Sequence, residues 1–286
     1  MIESFLDSWP LFQNTYLAGF AIAVLLSLVG VWVVARDQIF LGIAVSQASA
    51  LGIAVSLWLG TTAAAQEAGW LHGDAVATVL AVGGAVATAL VTARTPREGE
   101  ESAEAVTGWI FLVAASVPVL LLAHSAHGLE EIHRLTFSTL LGASKPDLVA
   151  LGVAALATAA LALPLHRPLL LLALDPEAAS AAGLRTPLLR SAVAIWLGVA
   201  VGLSMRVSGM LYTFGCLVLP PLIAKTLARE MRTVVWLAPS VALAAAVPGF
   251  VVAHGADTPP AHTTVALLCA GLAGAWALRR ALPSRS

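Results

Sequence analysis

The chain has 286 residues, 59% of them hydrophobic and 11% charged, with a formal net charge of −1. A water-soluble domain of this length needs far more charge to cover its surface, so a soluble globular enzyme is excluded; the net charge says little about partners, because its distribution matters more than its sum, and nothing suggests nucleic acid binding. Nine apolar stretches of about twenty residues, each enough to cross a bilayer core of about 30 Å, predict an all-α polytopic membrane protein.

The first stretch runs from Asn14 to Ala35. Glu3 and Asp7 precede it and no basic residue does, the wrong flank for a cleaved signal peptide, so this helix is expected to be retained. The second, Ile39 to Leu59, carries Gly42, Ser46, Ser49 and Gly52 three to four residues apart, with Gln47 beside Ser46. That spacing gathers small and polar groups on one helical face. Two readings fit it: the face lines a translocation path, or small residues admit a neighbouring helix while the Gln47 amide hydrogen-bonds to it. Ala75 to Ala93 follows, where Gly83, Gly84 and Ala87 are expected to serve packing, and then Ala105 to Ala123.

Between the fourth and fifth stretches lies His124-Ser125-Ala126-His127-Gly128-Leu129-Glu130-Glu131-Ile132-His133. Imidazole suits zinc and other borderline transition metals, and an i, i+3 spacing sets two imidazoles on one face. His124, His127, Glu130 and His133 are therefore candidate metal ligands at the outer mouth; the other reading makes them ordinary polar loop residues. The fifth stretch is Leu148 to Leu165. The Leu169 to Leu174 run after it is too short to span, and either lies at the membrane interface or extends the fifth helix.

Asp175-Pro176-Glu177-Ala178-Ala179-Ser180-Ala181-Ala182-Gly183 combines an N-cap Asp, Pro at the first helical position, an acid in the first turn and a Gly stop. It predicts a self-contained helix of about two turns, marginal in water by itself and expected to rest on the membrane surface or a partner protein. A permease would receive force from an ATPase on such a helix, although a capped connector needs no such role. Leu188 to Met205, Met210 to Ala224, Val234 to Ala253 and Thr263 to Leu278 complete the set. The seventh is short and begins at Gly209, so eight crossings plus a partial helix is the alternative count. Pro220-Pro221 inside it is expected to break the backbone ladder, as an ion site or as a simple kink. Cys216 and Cys269 fall inside apolar stretches, where a thiol behaves as a small core residue rather than a disulfide partner.

Every second junction is basic: Arg36; Arg94 and Arg97; Arg167, Arg185 and Arg190; Lys225, Arg229 and Arg232; Arg279, Arg280 and Arg285. Only Arg134, Lys145 and Arg206 fall on the other side, so the positive-inside rule puts the N-terminus outside and the C-terminus in the cytoplasm. His72, His124, His127, His133, His254 and His262 then lie outside, and His166 inside. The two lysines, Lys145 and Lys225, follow no glycine-rich phosphate loop, so the chain is not expected to be an ATPase. Charged residues are nearly absent within the spans, which disfavours a proton or sodium relay. The driving force is expected from another polypeptide; a stand-alone secondary transporter and a non-transporting membrane sensor or scaffold are the competing classes.

The order of several short motifs resembles the permease subunits of zinc and manganese ABC importers. They are Val33-Val34-Ala35-Arg36, Gly42-Ile43-Ala44-Val45-Ser46-Gln47, Leu140-Leu141-Gly142, Asp175-Pro176-Glu177-Ala178-Ala179 through Ala182-Gly183-Leu184, Val207-Ser208-Gly209-Met210-Leu211, Val218-Leu219-Pro220-Pro221-Leu222-Ile223-Ala224 and Asp257-Thr258-Pro259-Pro260. The resemblance implies one permease domain over residues 1–286 in the cell membrane, forming a homodimer on two cytoplasmic ATPases and fed by an external metal-binding protein. ATP would be bound by the partner subunit, with no cofactor in this chain. Asp175, Pro176, Glu177 and Gly183 would form the coupling helix, and the second span, through Ile43, Ser46, Gln47 and Ser49, would line the ion path.

One departure stands out. Where the family reads Gly-Asp-Ala-x-Ser-His-x-x-x-Pro-Gly, this chain has Ile43 for the Asp and Gln47 for the His, and Leu51 before Gly52. Isoleucine has no ligand atom and a neutral amide binds transition metals weakly. Gating by an Asp–His pair is therefore not available on this helix.

Overall fold

The structure, a computed structural model, describes residues 2–60, 74–94, 101–123 and 143–281. Among them the regular structure is helical: α1 (Ile2–Ala35), α2 (Ile39–Gly60), α3 (Asp74–Ala93), α4 (Ala103–Leu122), α5 (Lys145–Leu174), α6 (Pro176–Ala181), α7 (Thr186–Leu227), α8 (Met231–Ala256) and α9 (Pro260–Ala281). Eight of these are long and apolar enough to cross a membrane, which requires every backbone polar group to be paired within its own helix.

α7 accounts for the difference between nine predicted stretches and eight helices. Its 42 residues would reach about 63 Å, twice a bilayer core, but Gly209 is non-helical (φ 71, ψ 177) and divides it into two pieces, each close to bilayer thickness. Pro220 and Pro221 remove two N–H donors from the backbone ladder, as expected, yet the helix runs through both prolines to Leu227. The irregular backbone lies instead at the glycine, the residue that has no Cβ to forbid it. The Leu169 to Leu174 run extends α5, past Pro164 and Pro168.

The chain divides into two compact units: Met1–Asp37, Thr139–Leu184 and Leu211–Ser286 in one, Gln38–Ser138 and Arg185–Met210 in the other. In the first unit α1 packs on α5 and α8, and α8 on α9. Gly30 of α1 lies against the Leu217 carbonyl of α7, and Gly249 of α8 against Thr264 of α9. Aromatic rings from three helices meet here: Phe250 stacks on Phe20 at 5.2 Å between centroids and tilts against Tyr16 and Tyr212 at 5.8 and 6.2 Å. The Tyr212 hydroxyl donates to the Gly19 carbonyl at 3.0 Å, which satisfies it in a fully buried place. Val149, Val153 and Leu156, a ridge along α5, remain exposed, as a face toward lipid tails requires.

The second unit is built on α2, 67% of whose spanning window is buried against 28% for α3 and 22% for α4. α3 meets two neighbours through different residues. Gly52 of α2 touches the backbone of Leu80 and Ala81, and Gly84 touches the Ala48 carbonyl, while Val82 and Val86 face Gly202 and Gly198 of α7. Close backbone approach through small residues is the main source of helix association where lipid removes the hydrophobic drive. Gly83, expected to pack, has open space where its side chain would be. Adjacent substitutions should therefore behave oppositely. Gly84→Ala puts a methyl into backbone and should destabilise the solubilised protein by about 1–3 kcal/mol, whereas Gly83→Ala should leave its melting temperature unchanged or slightly raised. Equal melting shifts for the two would refute the packing assignment.

Candidate functional site

The residues expected to line a path lie on α2, the most enclosed helix of the second unit by its spanning window. Ser46 and Ser49 are fully buried and share one face of α2 with Gly42; Ile43 and Gln47, one turn apart, are half-buried on the neighbouring face. The Ser46 hydroxyl donates to the Gly42 carbonyl at 2.9 Å, the i−4 bond a serine makes to its own helix when no other partner is offered. The Ser49 hydroxyl has no partner among the described residues. Its hydrogen-bonding capacity is left over, and a buried unpaired hydroxyl costs about 1–3 kcal/mol. The Gln47 amide, half-buried beside Ser46, shows no bond to a neighbouring helix among the described residues, and both readings of it stay open. Gly52 does serve packing, so along the helix backbone contact lies toward Gly52 and an unspent hydroxyl at Ser49.

An apolar crevice of about 350 Å³ opens between α2, α3 and α4, where Ala48, Leu51, Gly84, Thr88 and Trp109 are among its lining residues. Ser46, Gln47 and Ser49 do not line it. Its wall carries no His, Cys, Asp or Glu.

The segment expected to couple to an ATPase forms a short helix with both ends capped. Asp175 caps α6, its carboxylate accepting from the Ala178 N–H at 2.9 Å, with Pro176 at the first position and Glu177 in the first turn. At the other end Leu184 N–H donates to Ala179 O at 3.1 Å and Gly183 N–H to Ser180 O at 3.0 Å, around Gly183 at φ 81. These two bonds form the Schellman stop, which needs a residue tolerant of positive φ. α6 rests on α5 of its own chain and buries Ala179, while Asp175, Pro176, Glu177, Ser180 and Ala181 stay exposed. One face is thus anchored and the other is presented.

His124, His127, Glu130 and His133 lie outside the described residues, as does His72. Among the described residues no three His, Cys, Asp or Glu side chains come together. Cys216 is buried and Cys269 exposed, both as free thiols.

Two polar arrangements were not legible beforehand. Lys225, read only as a topology marker, donates to the Val34 carbonyl at 3.1 Å and to Asp37 Oδ1 at 2.8 Å, closing the end of α1, where the Arg36 guanidinium lies 4.8 Å from the Trp32 ring centre. Tyr212 carries a signal of its own, since a phenol inside an apolar stretch calls for a hydrogen-bond partner elsewhere in the bundle.

Residues 8–277 match the family described as ABC 3 transport family. The manganese transport system membrane protein MntC of Halalkalibacterium halodurans is 21% identical over 243 residues, 85% of this chain and 78% of that protein. The solved structure of PsaBC from Streptococcus pneumoniae in complex with Fab matches with a TM-score of 0.78 and 16% identity, covering 96% of this chain and 95% of that one. A metal-chelate type ABC transporter in an inward-facing conformation matches with a TM-score of 0.73 and 17% identity, covering 96% and 89%. At these identities the two structures report the shared fold. With nearly the whole length matched, eight apolar spans and the short capped helix in place, the chain belongs to the ABC 3 transport family, as a multi-pass membrane permease of an ABC transporter.

Proposed function

We propose that this permease imports zinc or manganese by alternating access, as a homodimer on two cytoplasmic ATPases that is supplied by an external metal-binding protein. An ABC permease relies on a separate ATPase, and the observation that carries the reading is α6: a helix capped at both ends, anchored on α5 and exposed along Asp175, Pro176 and Glu177. A docking groove on an ATPase would take that face, with Gly183 ending the contact. The name of the Halalkalibacterium relative supports manganese. The basic junctions support the N-terminus outside and the C-terminus in the cytoplasm, which puts α6 on the ATPase side.

Ser46, Gln47 and Ser49 are the groups on α2 left to face the cargo, and Ile43 closes that face without ligating. Metal capture then falls to the outer loops, with His124, His127, Glu130 and His133 as ligands. The substitution of Ile43 and Gln47 for the family's Asp and His also favours a second reading, a non-transporting sensor derived from a permease.

Proteoliposomes holding the permease and its ATPase separate the two. Accumulation of radioactive zinc or manganese that requires ATP supports import. Metal binding at the outer loops without any flux supports the sensor. ATP-dependent uptake of an organic solute in place of either metal would overturn the substrate assignment.

A further inference from the structure

The chain passes between its two compact units four times, at residues 37/38, 138/139, 184/185 and 210/211. The second passage lies outside the described residues. Each of the other three falls within two residues of a backbone held at positive φ: Asp37 at 54°, Gly183 at 81° and Gly209 at 71°. Among the described residues only Asp257, in the turn between α8 and α9, shares that feature.

Helix punctuation does not require all of this. Gly183 ends a short helix, but Gly209 divides α7 after Arg206-Val207-Ser208 without ending it, and it does so at φ 71, ψ 177, a region closed to any residue with a Cβ. Asp37 has a Cβ and is held in place. Its carboxylate accepts from the Lys225 ammonium, which also bonds the Val34 carbonyl, while its own N–H donates to Val34 O at 3.2 Å. Lys225 thus ties the end of α1 to the end of α7 inside the first unit, so the chain is fixed up to Asp37 and turns beyond it.

We infer that Asp37, Gly183 and Gly209 are the hinges about which the two units are displaced during transport, with Lys225 the positioning residue that seats the first of them. The inference rests on the alternating-access reading. α6 belongs to the first unit and Gly183 follows it directly, so a push on α6 moves that unit and the displacement is taken up at the next residue.

Spin-label distances in the permease purified with its ATPase test this, with labelled chain diluted by unlabelled chain. Cys269 and Ser240→Cys report within the first unit, Ala87→Cys and Ala105→Cys within the second in a Cys269→Ser background, and Cys269 with Ala105→Cys across them; all four positions are exposed. A non-hydrolysable ATP analogue should leave both internal distances in place and shift the third. Gly209→Ala should change the shifted population at least about fivefold, since a Cβ penalises a backbone that only glycine adopts readily, and Lys225→Met, which releases Asp37, should change it as well. Gly152→Ala, whose Cβ meets open space at ordinary backbone angles, should change nothing.

If Gly209→Ala does not fold, Gly183→Ala carries the test, because its Cβ also meets open space and only the backbone is strained. A nucleotide-induced shift that is absent in the unmodified permease, or intact in the hinge variants, would overturn the inference. No cargo is needed for this readout. A permease that moves neither zinc nor manganese would fail the substrate reading while these distances still decided the hinges.

Discussion

Replacing Phe250 by alanine is expected to destabilise the protein by about 3–5 kcal/mol and to lower its melting temperature in detergent by roughly 10 °C. The ring is 1% exposed and touches three others, Tyr16 and Phe20 on α1 and Tyr212 on α7, so its loss opens a cavity at the junction of three helices. Lipid cannot enter to refill that cavity, and the rings around it belong to rigid helices that close only in part. Phe250→Leu should keep most of the stability. Tyr212→Phe should cost only about 0.5–1.5 kcal/mol, because it deletes one hydrogen bond to a Gly19 carbonyl and leaves the ring packing intact. If Phe250→Ala melted within about 2 °C of the parent protein, the cluster would not be the core of its unit.

Asp175→Ala is expected to lower ATP-driven metal uptake about tenfold while leaving melting temperature and membrane insertion unchanged, the equivalent of losing a helix cap of about 1.4 kcal/mol. The carboxylate bond to Ala178 is the only side-chain cap on a six-residue helix, and a helix that short does not hold its shape without one. Asp175→Asn keeps a capping oxygen and should restore most of the uptake. Glu177→Gln makes a further distinction, since Glu177 is exposed and makes no cap bond, so a defect there reports on the docking partner rather than on the helix. Undiminished uptake in Asp175→Ala would remove α6 from the coupling path.

The spans were readable because about twenty consecutive apolar residues have one stable form in a bilayer, and eight of the helices coincide with predicted stretches to within a few residues at most ends. α6 was readable for a different reason: its cap, proline, acid and glycine act within nine residues and need no tertiary partner. Gly83 and Gly84 show the limit. They are adjacent, identical and on the same predicted helix, yet one meets backbone and the other open space, and no local property distinguishes them. Pro220-Pro221 shows it from the other side, since two strong helix breakers sit inside helix while a single glycine, Gly209, makes the break ahead of them.

Hydrophobicity, which acts residue by residue against lipid, thus determined from the sequence that this is a bundle of membrane-crossing helices with one capped helix outside it. Tertiary structure alone decided which small residues bring helices together, that Tyr212 reaches Gly19 and Lys225 reaches Asp37 across nearly two hundred residues, and that Ser49 of α2 finds no partner among the described residues. The physical reason is range. Apolar burial and capping are settled within one or two helical turns, whereas a hydrogen bond or a close backbone approach between distant segments depends on where the packed neighbours have been placed.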